Sequence, residues 1–134
     1  MTHLKKLVLI VLASLAHLSF SSKEKCTVQF DGIYTASVDD ETDAHIRFYS
    51  EGVVIVSTSV KSIKDVSIWF KKENKSRILS GKYKIKGCKI KFSVKGETGS
   101  QKFSGTINGT ALNMHIIDGA TKAETNRTYS FVSL

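Results

Sequence analysis

The chain has 134 residues, a formal charge of +8, 41% hydrophobic and 24% charged residues, two cysteines and no proline. That length supports one domain around one core, and the composition excludes a disordered chain, a proline-rich linker, a collagen and a disulfide-dense miniprotein. The balance is basic without forming a basic tail.

Residues 1–21 read as a secretory signal: Lys5 and Lys6 precede an aliphatic run from Leu7 to Leu12, and Ser19 and Ser21 bracket Phe20 where a signal peptidase would cut. A retained N-terminal anchor is the competing reading. The apolar run of about 12 residues is short of the roughly 20 that span a bilayer, so no transmembrane segment is expected in the mature chain. The remaining residues, 22–134, are expected to form a single β-barrel domain, secreted or periplasmic. Ser22-Lys23-Glu24-Lys25 lacks the small apolar residues of a lipid-attachment site before Cys26. Export permits a bond between Cys26 and Cys88, closing a loop of about 63 residues at a gain of about 4 kcal/mol. Two buried or free thiols are the alternative.

Short alternating segments separated by turn residues fill the rest of the chain, the pattern of an antiparallel sheet with one face in a core. Eight strands are predicted, at residues 32–38, 45–50, 53–58, 78–86, 89–95, 102–107, 111–117 and 127–133. Glu51-Gly52 and Asn108-Gly109 are hairpin turns in which glycine takes a positive φ, and Gly87-Cys88 joins a third hairpin. The alternation puts Ile90, Phe92 and Val94, then Phe103 and Ile107, then Leu112, Met114 and Ile116, then Tyr129 and Phe131, on one inner face.

Residues 62–72 break the pattern. Ile63, Val66, Trp69 and Phe70 fall at helical spacing, with Ser62 as cap, Asp65 as its capping-box partner, and Lys71 and Lys72 near the C-terminal end of the dipole. A strand using Val66, Ile68 and Phe70 is the alternative. One amphipathic helix among eight strands is best placed as a plug or lid over one end of the barrel, and closing the sheet removes unpaired edges.

Catalysis needs a nucleophile with a base, a matched acid and base, or a metal set, and no such motif is visible. His45 and His115 read as lone surface histidines. Asp39, Asp40, Glu41 and Asp43 lack the spacing of a calcium loop and read as a solvated turn. The chain is therefore expected not to be an enzyme and to need no cofactor or metal, with a hydrolase as a disfavoured third class. The sequons at Asn74, Asn108 and Asn126 are not expected to carry glycans.

Two surfaces remain. The inward set Tyr34, Phe48, Tyr83, Phe92, Phe103, Met114, Tyr129 and Phe131, with Trp69 on the helix, either packs as a core at about 1.5–3 kcal/mol per side chain or lines an apolar cavity. Lys82, Lys84, Lys86, Lys89, Lys91 and Lys95 all fall on the polar face of one hairpin. They either attract an anionic lipid or polysaccharide or simply keep the exterior solvated. Nucleic acid is not expected, because no aromatic residues interleave the lysines.

The run Asp31-Gly32-x-Tyr34, Ile46-Arg47-Phe48-Tyr49, Trp69-Phe70-x-Lys72-Glu73-Asn74, Ser80-Gly81-Lys82-Tyr83, Gly105-x-Ile107-x-Gly109 and Tyr129-x-Phe131 resembles small secreted bacterial β-rich proteins, a resemblance that implies no activity. More loosely the layout resembles lipocalin-like barrels. Gly32-x-Tyr34 stands where those carry Gly-x-Trp, and Arg127 falls where their basic partner lies. That resemblance implies a small apolar ligand held in the barrel.

The expectation is an all-β fold, a small antiparallel up-and-down barrel of about eight strands, lipocalin-like, with one short helix. Its expected role is non-catalytic binding of a small apolar or amphipathic ligand as a monomer. The alternative is a cell-envelope interaction or structural protein with a filled barrel and a basic outer face.

Overall fold

The computed structural model describes residues 25–61 and 63–134. The leader read at residues 1–21 and the cap read at Ser62 lie outside them, as do the side chains of Ile63 and Asp65.

Eight strands run in chain order: β1 Gly32–Ser37, β2 Thr42–Phe48, β3 Val53–Val60, β4 Leu79–Lys86, β5 Lys89–Gly96, β6 Gly99–Asn108, β7 Ala111–Asp118 and β8 Glu124–Ser133, with one helix, α1 Ile63–Trp69, between β3 and β4. Every strand pairs antiparallel with its sequence neighbour, and β8 returns to β1 through registers such as Tyr34 opposite Phe131, so the sheet closes as an up-and-down barrel. Closure gives each strand two neighbours and leaves no strand exposed along a whole edge. The tight turns follow the sequence signals: Gly52 sits at φ 91° and Gly109 at φ 60°, conformations that glycine adopts without a Cβ penalty.

Period-two alternation fills the barrel. Tyr34, Ile46, Phe48, Val54, Val56, Ile90, Phe92, Phe103, Leu112, Met114 and Tyr129 form one buried cluster, with Tyr83 and Phe131 packed against it. Its rings interlock. Phe48 meets Tyr34, Tyr83 and Phe92 edge-on at centroid distances of 5.5, 5.0 and 5.8 Å, and Phe92 stacks on Phe103 at 4.6 Å. Such pairs add about 0.5–1.5 kcal/mol each to area burial.

The helix is real, but it does not plug an end. Val66 and Phe70, four residues apart, are fully buried while Ile68 is 72% exposed, a helical rather than a strand pattern. Those two side chains pack with Ile33, Ile55 and Ile78 in a second cluster, separate from the interior one. Ile33 and Ile55 lie one residue out of phase with the inward Tyr34 and Val54, so α1 covers the outer wall of β1–β3. A seven-residue helix has little stability alone and depends on such docking. Lys71 and Lys72 fall beyond it: the helix stops at Trp69 and its last turn holds no basic residue. Arg47 holds that end instead, donating from Nη1 to the Phe70 carbonyl at 3.0 Å. Lys72 turns to Glu51 in an ion pair.

The two ends of the barrel differ. At one, the N-terminal segment folds under the strands. Cys26 is disulfide-bonded to Cys88 with the Cα atoms 4.8 Å apart, its amide donates to the Gly87 carbonyl at 3.3 Å, and Val28 is buried in the interior cluster. The Gln29 amide donates to the Tyr34 hydroxyl at 2.9 Å. That end is closed.

Candidate functional site

The other end stays open because β3 outruns its partner. Only residues 53–56 of β3 pair with β4, while Ser57 to Val60 pair with β2 alone. A cleft of about 760 Å³ occupies the mouth and wraps the free half of β3. Its apolar lining includes Val56, Leu79, Phe103, Tyr129 and Trp69.

Alternation supplies the polar lining. Arg127 lies opposite Met114, in phase with Tyr129 and Phe131, and therefore points inward near the rim. It donates from Nη1 to the Tyr129 hydroxyl at 3.2 Å. Burial raises the Tyr129 pKa, an effect the Arg127 contact partly offsets. Arg77 borders the cleft from the segment before β4, its guanidinium 5.4 Å from the centroid of the Trp69 ring. The Arg77 carbonyl accepts a 2.7 Å hydrogen bond from Ser57, which fixes that segment along the unpaired part of β3. Asp118 also borders the cleft, but its carboxylate accepts from the Thr121 amide and hydroxyl and from the Ala120 amide, and these bonds hold its pKa below the usual value. With Asp118 engaged in its own turn, the cationic groups of the lining are Arg77 and Arg127.

His45 corrects the reading of a surface histidine: it is 1% exposed. It points out of the barrel beneath Phe70, whose ring centroid is 5.9 Å away. Nδ1 lies 3.0 Å from the Thr35 hydroxyl and Nε2 lies 2.7 Å from the Ser59 hydroxyl. Ser59 in turn donates to the Val60 carbonyl at 3.0 Å. The network closes with the proton on Nε2: the ring donates to Ser59, and Thr35 donates to Nδ1. In that arrangement Ser59 gives its proton to a carbonyl, and both ring nitrogens are bonded to hydroxyls rather than to a carboxylate as in a hydrolytic triad, so the geometry is a satisfied buried histidine. His115 is half-buried at the surface, between Asn126 and Glu124. Among the described residues no group of three or more His, Cys, Asp or Glu side chains could hold a metal ion.

Of the nine residues singled out as ligand-lining, Trp69, Phe103 and Tyr129 border the cleft. Tyr34, Phe48, Phe92 and Met114 belong to the packed interior, with Tyr83 and Phe131 against it. Trp69 packs with the outer cluster and reaches the cleft past the free half of β3. Arg127 does not neighbour Tyr34, whose register partners are Ile46 and Phe131, so it does not take the place that the lipocalin resemblance implies. Sequence reasoning missed Arg77, which precedes β4 and carries no periodic signal, and Leu79, the first residue of β4, although it is in inward phase with Tyr83 and Ile85.

The lysine stripe lies on the outer surface as read. Lys84 stands directly opposite Lys91 and Lys86 opposite Lys89. Among the described residues no helix is long and apolar enough to cross a membrane. Comparison of the chain with protein families, with curated proteins and with solved structures finds no match.

Proposed function

We propose that this protein is a non-catalytic binder of a small amphipathic molecule bearing an anionic group, received at the open end of the barrel. The supporting observation is the cleft of about 760 Å³, which joins an apolar floor at Leu79, Phe103 and Tyr129 to two arginines, Arg77 and Arg127. Its size falls within the ordinary range for small-molecule sites, and its lining combines apolar side chains with polar ones such as Ser57, Ser59, Ser76, Ser100 and Gln101, which suits an amphipathic rather than a wholly apolar molecule. Guanidinium groups suit a carboxylate or phosphate through paired donors. Because the lower interior is filled by Phe48, Phe92 and Tyr34, the apolar part of the ligand is a single ring or a short chain. The apolar leader sequence and the Cys26–Cys88 bond support action outside the cytoplasm, secreted or periplasmic. A closed sheet, whose unpaired stretches are confined to half of β3 and half of β4, supports a monomer.

Trp69, the only tryptophan, reports on the cleft. Titration with octanoate should change its emission saturably, octanol should bind at least about tenfold more weakly, and Arg127→Met should remove that preference. No saturable change with either compound, or equal affinity for both, would overturn the reading.

A further inference from the structure

The outer faces of β4, β5 and β6 form a surface of one composition. Every outward position from Ser80 to Lys86, from Lys89 to Lys95 and from Ser100 to Thr106 is lysine, serine or threonine. Register aligns them into four rows across the three strands: Ser80, Lys95 and Ser100; Lys82, Ser93 and Lys102; Lys84, Lys91 and Ser104; Lys86, Lys89 and Thr106. Each row holds at least one ammonium and one hydroxyl, and successive rows lie about 7 Å apart along the strands.

Solubility alone does not account for this pattern. Lysines blunt the edges of open sheets, but Lys89, Lys91, Lys95 and Lys102 lie on stretches paired on both sides, and only residues 83–86 of β4 lack a β3 partner. Like charges directly opposite one another, as at Lys84 and Lys91 and again at Lys86 and Lys89, weaken the sheet. No carboxylate occupies any of the twelve positions to relieve them. The arrangement concentrates uncompensated positive charge on one wall, away from the acidic turn at Asp39, Asp40 and Glu41.

We infer that this wall binds a linear acidic polysaccharide, with the lysines meeting its carboxylate or sulfate groups and the interleaved hydroxyls meeting its sugar hydroxyls. A membrane surface would favour apolar side chains among the cations, to enter the headgroup layer, and the wall has none. Single-stranded nucleic acid would favour aromatic platforms, and it has none of these either.

The experiment measures binding of the purified protein to immobilised polygalacturonate and heparin, with dextran as the neutral polymer and mixed phosphatidylglycerol–phosphatidylcholine vesicles and oligo-dT as competing classes. Binding to at least one acidic polymer should fall steeply with salt, as counterion release requires. The double variant Lys84→Ser/Lys91→Ser should bind about tenfold or more weakly with a shallower salt dependence. Lys71→Ser/Lys75→Ser, which removes the same charge elsewhere, should bind like the parent. The first variant should melt no lower than the parent, because it removes an opposed like-charge pair. Equal losses in the two double variants, binding to dextran as strong as to the acidic polymers, or stronger binding to vesicles or oligo-dT would overturn the inference.

Discussion

The Nε2 atom of His45 lies 2.7 Å from the Ser59 hydroxyl, beneath the ring of Phe70. One strand pair and the helix thus share a single ionisable group. Burial lowers the His45 pKa, and the Asp43 charge only partly opposes that. The unfolded chain therefore takes up this proton more readily than the folded one, so the stability contribution is fully present above the ordinary value of about 6.5 and is lost as pH falls below it. His45→Gln should flatten the dependence of the urea midpoint on pH below about 6.5. An unchanged acid limb would show that the ring does not carry the effect.

His115 has the opposite sign. Its hydrogen bonds to Asn126 and then Glu124 raise its pKa, so its contribution is present below the ordinary value and fades as pH rises through the folded-state value. The group is open to solvent on one side, and screening keeps the effect small. NMR titration should place the His115 midpoint above that of a model histidine, and Asn126→Ala should move it back.

The disulfide joins residues 62 positions apart and fastens the segment that closes one end. Cys26→Ser/Cys88→Ser should lower unfolding free energy by about 2–4 kcal/mol, read from the urea midpoint without reductant. Adding reductant to the parent should reproduce that loss and leave the double variant unchanged.

Phe70 is fully buried between α1 and the outer wall, while Ile68, two residues earlier, is exposed. Phe70→Ala should cost about 3–5 kcal/mol and shift Trp69 emission to the red as the helix loosens, whereas Ile68→Ser should change stability by less than about 0.5 kcal/mol. Comparable losses in both would contradict the assigned helix face.

Strand order and turns were legible because their signals are local. Ile90, Phe92 and Val94 against Lys89, Lys91 and Ser93 state their faces outright, and Asn108-Gly109 states its turn. Strand ends were less legible: β2 begins at Thr42 rather than His45, because Thr42 and Asp43 read as loop but pair with Val60 and Ser59. The position of the helix was missed, although a clue was present. Val53-Val54-Ile55-Val56 is an unbroken apolar run, and such a strand is covered on both faces. Arg127 was readable as inward from its phase with Tyr129, whereas the cleft arises from the short β3–β4 pairing, a tertiary property that no residue pattern announces.

A barrel sealed below by its own N-terminal segment is a cup rather than a tube. Whatever enters past Arg127 must leave by the same doorway, so occupants exclude one another and nothing passes straight through.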